Sequence, residues 1–234
     1  MESEKARDRL LIAIDGPAAS GKSTVALALA RQLGLELVDS GSMYRAVTLL
    51  ALETGTPVDD EPALAEVAHE VSATFRLELR DGETPRVFVA GREVTDEIRS
   101  REVGDAVSPV SRAPAVREEM VRLQRCLVEG VSAVVEGRDI GTTVLPDAPV
   151  KVFLEASEAE RAGRRLAELE AKAVEVTREQ VVAEIQKRDR IDSSREVSPL
   201  RAAPDAVAID TTRRTVAQVV DEIVGLLADR GLVH

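Results

Sequence analysis

Tryptophan is absent from these 234 residues, and one tyrosine and three phenylalanines are the only aromatic side chains besides two histidines. Tyr44, Phe75, Phe88 and Phe153 are too few and too scattered for a platform that stacks single-stranded bases. A basic surplus is lacking as well. The formal net charge is −11, whereas a broad nucleic-acid footprint needs clustered Lys and Arg to displace counterions. No polynucleotide partner is expected. The single cysteine, Cys126, excludes an internal disulfide and a multi-cysteine metal site. No apolar run reaches the roughly 18 residues of a membrane-spanning helix, and residues 1–9 are charged, without the apolar centre of a signal peptide. A cytoplasmic location is the expectation. Asparagine is also missing, which fits either a thermophilic origin or biased codon usage, since arginine far outnumbers lysine.

What is present is material for a core. Hydrophobic residues make up 44% of the chain and charged ones 31%, enough for one large α/β domain with an insertion. Residues 10–14 form an apolar run ahead of Asp15-Gly16-Pro17, the pattern of a buried parallel strand. Alanines and leucines at helical spacing predict a helix over 23–33 capped by Gly34. A strand at 35–38 and a helix at 42–52 follow. The pattern then changes. Residues 74–79 and 86–89 alternate apolar and polar, Asp81-Gly82 marks a turn between them, and 93–94 adds a third stretch. A small antiparallel insertion is expected over 72–98. Beyond it, strands are predicted at 131–135, 150–154 and 206–209. Helices are predicted at 114–129, at 157–170 with Ser157 and Glu160 spaced as a capping box, at 177–190 and at 215–228. Five strands alternating with helices predict a doubly wound parallel sheet over residues 10–228, between a flexible N-terminus (1–9) and a C-terminal tail (229–234).

The segment Gly16-Pro17-Ala18-Ala19-Ser20-Gly21-Lys22-Ser23, followed by Thr24, matches G-x-x-x-x-G-K-[ST] between a strand and a helix. Glycines allow a tight turn whose N–H groups converge on phosphate oxygens, the lysine reaches the β- and γ-phosphates, and the serine hydroxyl can hold Mg²⁺. Such a loop names a nucleotide but not an activity. A guanine-nucleotide switch would need an asparagine for its base-reading element, and the chain has none. A large motor would need more chain and a clear second carboxylate, for which Glu136 is the nearest candidate. Small-molecule kinases remain, together with a non-catalytic nucleotide-binding module.

Three arginine-bearing segments stand out. Ser40, Tyr44 and Arg45 follow the second strand at the sheet edge where ligands bind in such folds, although a capped helix with an ordinary surface arginine explains them equally well. Glu136-Gly137-Arg138-Asp139 ends another strand. Arg188, Asp192 and Arg195 are spaced i, i+4, i+7 and would share a helix face if the helix continues. Guanidinium forks and a carboxylate suit phosphate and a sugar hydroxyl, but a solvated ion-pair face has the same spacing. Arg161, Arg164 and Arg165 read as a solvent-facing stripe.

The chain resembles the bacterial cytidylate kinases, within the nucleoside-monophosphate kinases. The resemblance rests on residues 12–17 with the phosphate loop, on 39–45, on Glu136-Gly137-Arg138-Asp139-Ile140-Gly141-Thr142, on 146–154, and on Arg188-Asp189 through 195–200. It runs from about residue 10 to 228. It implies an α/β P-loop kinase fold, a five-stranded parallel sheet flanked by helices, with the antiparallel insertion as a monophosphate-binding element and a lid at about 158–195. It further implies ATP as donor with Mg²⁺, CMP or dCMP as acceptor, Arg45 and Arg138 on the monophosphate with Ser40 nearby, and Ser108, Arg117 and Asp139 on the cytosine edge. Arg188 and Asp192 would meet the ribose, and Arg195 the phosphates. Ser108 and Arg117 rest on the resemblance alone. Glu136 stands where members of the family often have Asp, leaving its metal contact open, and Ile191 where some carry another arginine. A monomer is expected. A shikimate kinase-like enzyme, with an alcohol acceptor, is the alternative within the same architecture.

Overall fold

Ile12, Ala13 and Ile14 have no solvent exposure, because the strand they form, β1 (Leu11–Asp15), has neighbours on both edges and helices packed against it. It is the middle strand of a five-stranded parallel sheet with β2 (Glu36–Asp39), β6 (Ala133–Gly137), β7 (Val150–Glu155) and β8 (Val207–Asp210), in the order β2-β6-β1-β7-β8. A smaller antiparallel sheet holds β3 (Arg76–Glu78), β4 (Arg86–Val89) and β5 (Arg92–Glu93). These coordinates come from a computed structural model that describes residues 9–79, 85–171 and 173–233. The Asp81-Gly82 turn lies outside the described residues.

The chain divides into two units, one of Met1–Leu37 with Gly130–His234 and one of Val38–Glu129. In the first unit, α1 (Lys22–Leu33) packs on β1, β6 and α8 (Val216–Asp229). The connections leave β1 toward β2 on one side and return past it to β7 and β8 on the other, so successive crossovers diverge at the carboxyl end of β1, where ligands bind in open α/β sheets. Register sets the level of the rim: Asp15 lies opposite Gly137 of β6 and Phe153 of β7. The helices α6 (Glu158–Ala171) and α7 (Arg178–Ser194) share a small core of Ala162, Leu169, Val181 and Ile185, against which Ala19 of the phosphate loop also rests. Thr177 with Gln180 and Thr215 with Gln218 form reciprocal capping boxes at the starts of α7 and α8. At α6 only half of the expected box forms. Ser157 Oγ accepts the Glu160 N–H at 3.3 Å, but the Ser157 N–H donates to Thr212 Oγ1 at 2.9 Å, and Glu160 pairs with Arg164 at 3.2 Å.

The second unit contains α2 (Ser40–Glu53), α3 (Glu61–Thr74), α4 (Arg101–Val110), α5 (Pro114–Leu127) and the small sheet. Neither α3 nor α4 is anticipated by the sequence reading. In α4, Gly104 and Pro109 count as helix breakers, yet Val103, Val107 and Val110 recur at i, i+4, i+7 and are buried, and Ser100 caps the start by accepting the Val103 N–H. Burial of one valine stripe outweighs the poor propensity. In α3, Leu64, Val67, Ala68 and Val71 give the same kind of stripe, opened by Asp60 as N-cap and Pro62 in the first turn.

Two glycines test how tightly the chain is drawn. Gly34 has φ 65° and open space around a hypothetical Cβ, whereas at Gly16 (φ 151°) a Cβ would lie 2.2 Å from the Leu154 carbonyl oxygen. Gly34→Ala is expected to cost about 1 kcal/mol in urea unfolding, and Gly16→Ala markedly more, because the backbone of β7 must move to admit it. Equal losses in the two variants would contradict the close approach.

Candidate active site

The phosphate loop leaves β1 at Gly16 and enters α1 at Lys22. Gly16 (φ 151°), Ala19 (57°) and Gly21 (93°) interrupt it with positive φ angles, the alternation that builds an anion-binding concavity of backbone N–H groups. Its carbonyl oxygens are held by other groups. Lys22 Nζ donates to Pro17 O at 2.7 Å, Arg161 to Ala18 O at 3.2 Å, and Thr211 Oγ1 to Ser20 O at 2.9 Å. Ser23 Oγ donates to Glu136 Oε1 at 2.6 Å, joining the start of α1 to β6. Thr24 follows on the exposed side of the first turn.

Lys22 is buried, and burial, followed by the charges of Arg138 and Arg188, pushes its pKa down to about 7, against a partial offset from Glu136 and Asp15. Asp15 is buried at the end of β1. Burial raises its pKa to about 6, although its two oxygens accept the N–H groups of Ile140 and Gly141 at 2.8 and 2.7 Å. Those bonds fix the single π turn (Ile140–Val144) that follows Arg138 and Asp139.

Arg138 Nε donates to Asp192 Oδ2 at 3.0 Å. Burial works against the ionised Asp192 carboxyl, but Arg138, Arg195 and Arg188 outweigh it and hold the carboxyl below the usual carboxylate range. Arg138 is likewise opposed by burial and kept firmly cationic by Asp192, Glu136 and Asp189. The helix-face expectation needs correction at one residue. α7 ends at Ser194, and Arg195 is its extended C-cap (φ −61°, ψ 138°), not a third member of the stripe. It returns to the cluster by donating Nε to the Asp192 carbonyl oxygen at 3.3 Å.

In the second unit, Ser40 is buried as the first residue of α2, whose N-cap is Asp39. The Arg117 guanidinium on α5 lies 5.5 Å from the centroid of the Tyr44 ring and donates to Ser111 O at 3.4 Å. Ser111 in turn donates its hydroxyl to Ser108 O at 3.1 Å, so Tyr44, Ser108 and Arg117 belong to one contact chain. Arg45 donates to Ile98 O at 3.3 Å.

Comparison with known proteins decides the class. The family model for cytidylate kinase matches residues 12–229. The chain belongs to the cytidylate kinase family. It is 50% identical to a cytidylate kinase from Geobacillus thermodenitrificans (strain NG80-2) over 223 residues, 95% of this chain and 98% of that one. It is also 50% identical over 224 residues to a bifunctional pantoate ligase/cytidylate kinase from Synechococcus sp. (strain JA-3-3Ab), covering 96% of this chain and spanning only 42% of that protein. The crystal structure of an uncharacterized protein from Eubacterium ventriosum ATCC 27560 has the same fold, with a TM-score of 0.52 at 14% identity, over 94% of this chain and 99% of that chain.

Within this family member, five side chains on α6 and around the phosphate loop escaped the sequence reading. Arg161 and Arg164 were expected in solvent, as was Arg165. Instead Arg161 is buried, pairs with Asp189 at 2.7 Å and reaches the phosphate loop. Arg164 donates to Thr211 Oγ1 and O, and Arg165 pairs with Glu184 of α7 at 3.2 Å. The packing of α7 and the end of β8 against α6 covers this face, which helical periodicity of α6 alone does not reveal. Asp15 carried a signal, an acid closing an apolar strand. Thr211 carried none.

A triphosphate placed beside Lys22 favours its ammonium form and raises its depressed pKa. Binding of ATP is therefore expected to take up close to one proton per protein at about pH 8–9, well above the free-site value of about 7, and little near pH 6, where Lys22 is already charged. Calorimetry in buffers of different ionisation enthalpy measures the uptake, and proton release at pH 8–9 would contradict it.

Proposed function

We propose that the chain transfers the γ-phosphoryl group of ATP to CMP or dCMP, giving ADP and CDP or dCDP. Membership of the cytidylate kinase family supports this reading. The observation that carries it is a phosphate-loop lysine set among Arg138 and Arg188, with Asp192 buried between guanidinium groups. Phosphoryl transfer asks for cations where charge collects on the transferring group and little covalent chemistry from the protein. The acceptor is a phosphate anion near neutral pH, so no strong general base is needed. Alignment and charge do the catalysis.

In this proposal residues Gly16 to Thr24 hold the donor, with Lys22, Arg138, Arg195 and Arg45 acting on the phosphates. Arg188 and Asp192 take the ribose of the acceptor. Ser40, Tyr44, Ser108, Arg117 and Asp139 serve the acceptor's phosphate, sugar and base edge. The residues present suit Mg²⁺ carried on ATP. The Ser23 hydroxyl and the Glu136 carboxylate meet at 2.6 Å beside the loop, a hard oxygen pair of the kind that completes a magnesium shell together with phosphate oxygens and water. Bound there, the ion neutralises charge on the β- and γ-phosphates. The described residues contain no helix long and apolar enough to cross a membrane, and the reaction as proposed needs neither a membrane nor a second copy.

The deciding measurement is ADP formation from Mg-ATP with AMP, GMP, UMP, CMP and dCMP offered separately. Turnover is expected to be fastest with CMP or dCMP, and faster turnover of AMP or GMP would end the assignment. A non-catalytic nucleotide-binding module would bind ATP and form no acceptor-dependent ADP. Lys22→Met is expected to lower kcat at least about a hundredfold, and near-normal turnover would remove Lys22 from its role.

A further inference from the structure

A phosphate loop works only while its amide N–H groups point at the anion. The peptide bond is planar and trans, so each N–H points opposite to the carbonyl of the preceding residue. Fixing the carbonyl oxygens of Pro17, Ala18 and Ser20 therefore fixes the N–H groups of Ala18, Ala19 and Gly21. Each of the three carbonyls has a donor, and the donors differ in kind. Lys22 holds Pro17 O with an ammonium that a phosphate also attracts. Arg161 holds Ala18 O while also paired with Asp189, and as a cation it too is drawn by a triphosphate. Thr211 holds Ser20 O with an uncharged hydroxyl at 2.9 Å and is 3% exposed.

The hydroxyl is itself set in place. Thr211 follows directly after β8, and its backbone N–H already serves the Glu155 carbonyl at 2.8 Å. Although Oγ1 also lies 3.0 Å from Glu155 O, its one proton is therefore most useful to Ser20. Arg164 donates to Thr211 Oγ1 at 3.0 Å and to Thr211 O at 2.7 Å, occupying the acceptor side of the hydroxyl from α6, and Glu160 steadies that guanidinium at 3.2 Å. The peptide being held leads into Gly21, which has φ 93° and no side chain to restrict it. This is where an external hold has most effect.

We infer that Thr211 is a positioning residue for the phosphoryl donor, its hydroxyl anchoring the Ser20 carbonyl so that the Gly21 amide stays directed at the triphosphate. The inference rests on the phosphate loop being the ATP site. It concerns donor affinity alone, since Thr211 touches no group assigned to the acceptor.

Thr211→Val keeps the shape and burial and deletes the hydroxyl, while Thr211→Ser keeps the hydroxyl. Initial rates with ATP and CMP varied separately, and melting temperatures, are to be measured for wild type, both variants and Lys22→Met. Loss of one hydrogen bond to the loop is expected to raise the KM for ATP about five- to tenfold in Thr211→Val. The KM for CMP should stay within about twofold, and serine should restore the wild-type ATP value to within about twofold. An unchanged KM for ATP, whatever the melting temperature, overturns the inference, and so does an equal rise in both KM values, which marks general loosening. Thr211→Ala gives the same readout if the valine variant does not fold. Retention of full ATP turnover by Lys22→Met would instead remove the donor site itself, so the two failures are told apart.

Discussion

Cations crowd the carboxyl end of β1, and the site depends on how that crowding is balanced. Lys22 is buried within the field of Arg138 and Arg188, an arrangement that would be prohibitive without buried carboxylates among them. Glu136, Asp15, Asp189 and Asp192 supply the opposite charge. The balance is incomplete at the lysine, whose proton is held loosely, and more than complete at Asp192, which stays ionised. A protein of net charge −11 thus keeps Lys22, Arg138 and Arg188 together where a polyphosphate is to be handled.

Backbone geometry delivers these groups to one rim. The parallel register sets Asp15 level with Gly137, so the phosphate loop and the Arg138-Asp139 segment leave the sheet side by side. The two bonds from Ile140 and Gly141 to Asp15 then fix the second segment relative to the first. On the other side, the shared core of α6 and α7 brings Asp189 to Arg161 and seats Ala19 against the helix pair. Ala19 has φ 57°, a conformation that costs an alanine about 1 kcal/mol, and its contact with that core offsets part of the strain.

Much of the frame was legible because its causes are local. A short apolar run before a glycine-rich turn is a buried strand in almost any context, and the capping residues Thr177 and Thr215 announce their helices within four positions. The misses share one cause. The α4 helix contradicts its own Gly104 and Pro109 and exists because a valine stripe is buried by other elements. The α6 arginines look like a solvated face until the partners that cover them are known.

The sequence alone determined the fold class, the phosphate loop and the family, because each is written in contiguous residues whose spacing carries the chemistry. Tertiary structure alone decided that Arg195 leaves its helix and still returns to Asp192, that Arg161 turns inward, and that Thr211 meets a carbonyl 191 positions away. Such contacts depend on which strands are neighbours and in what register, and no local pattern of side chains encodes that.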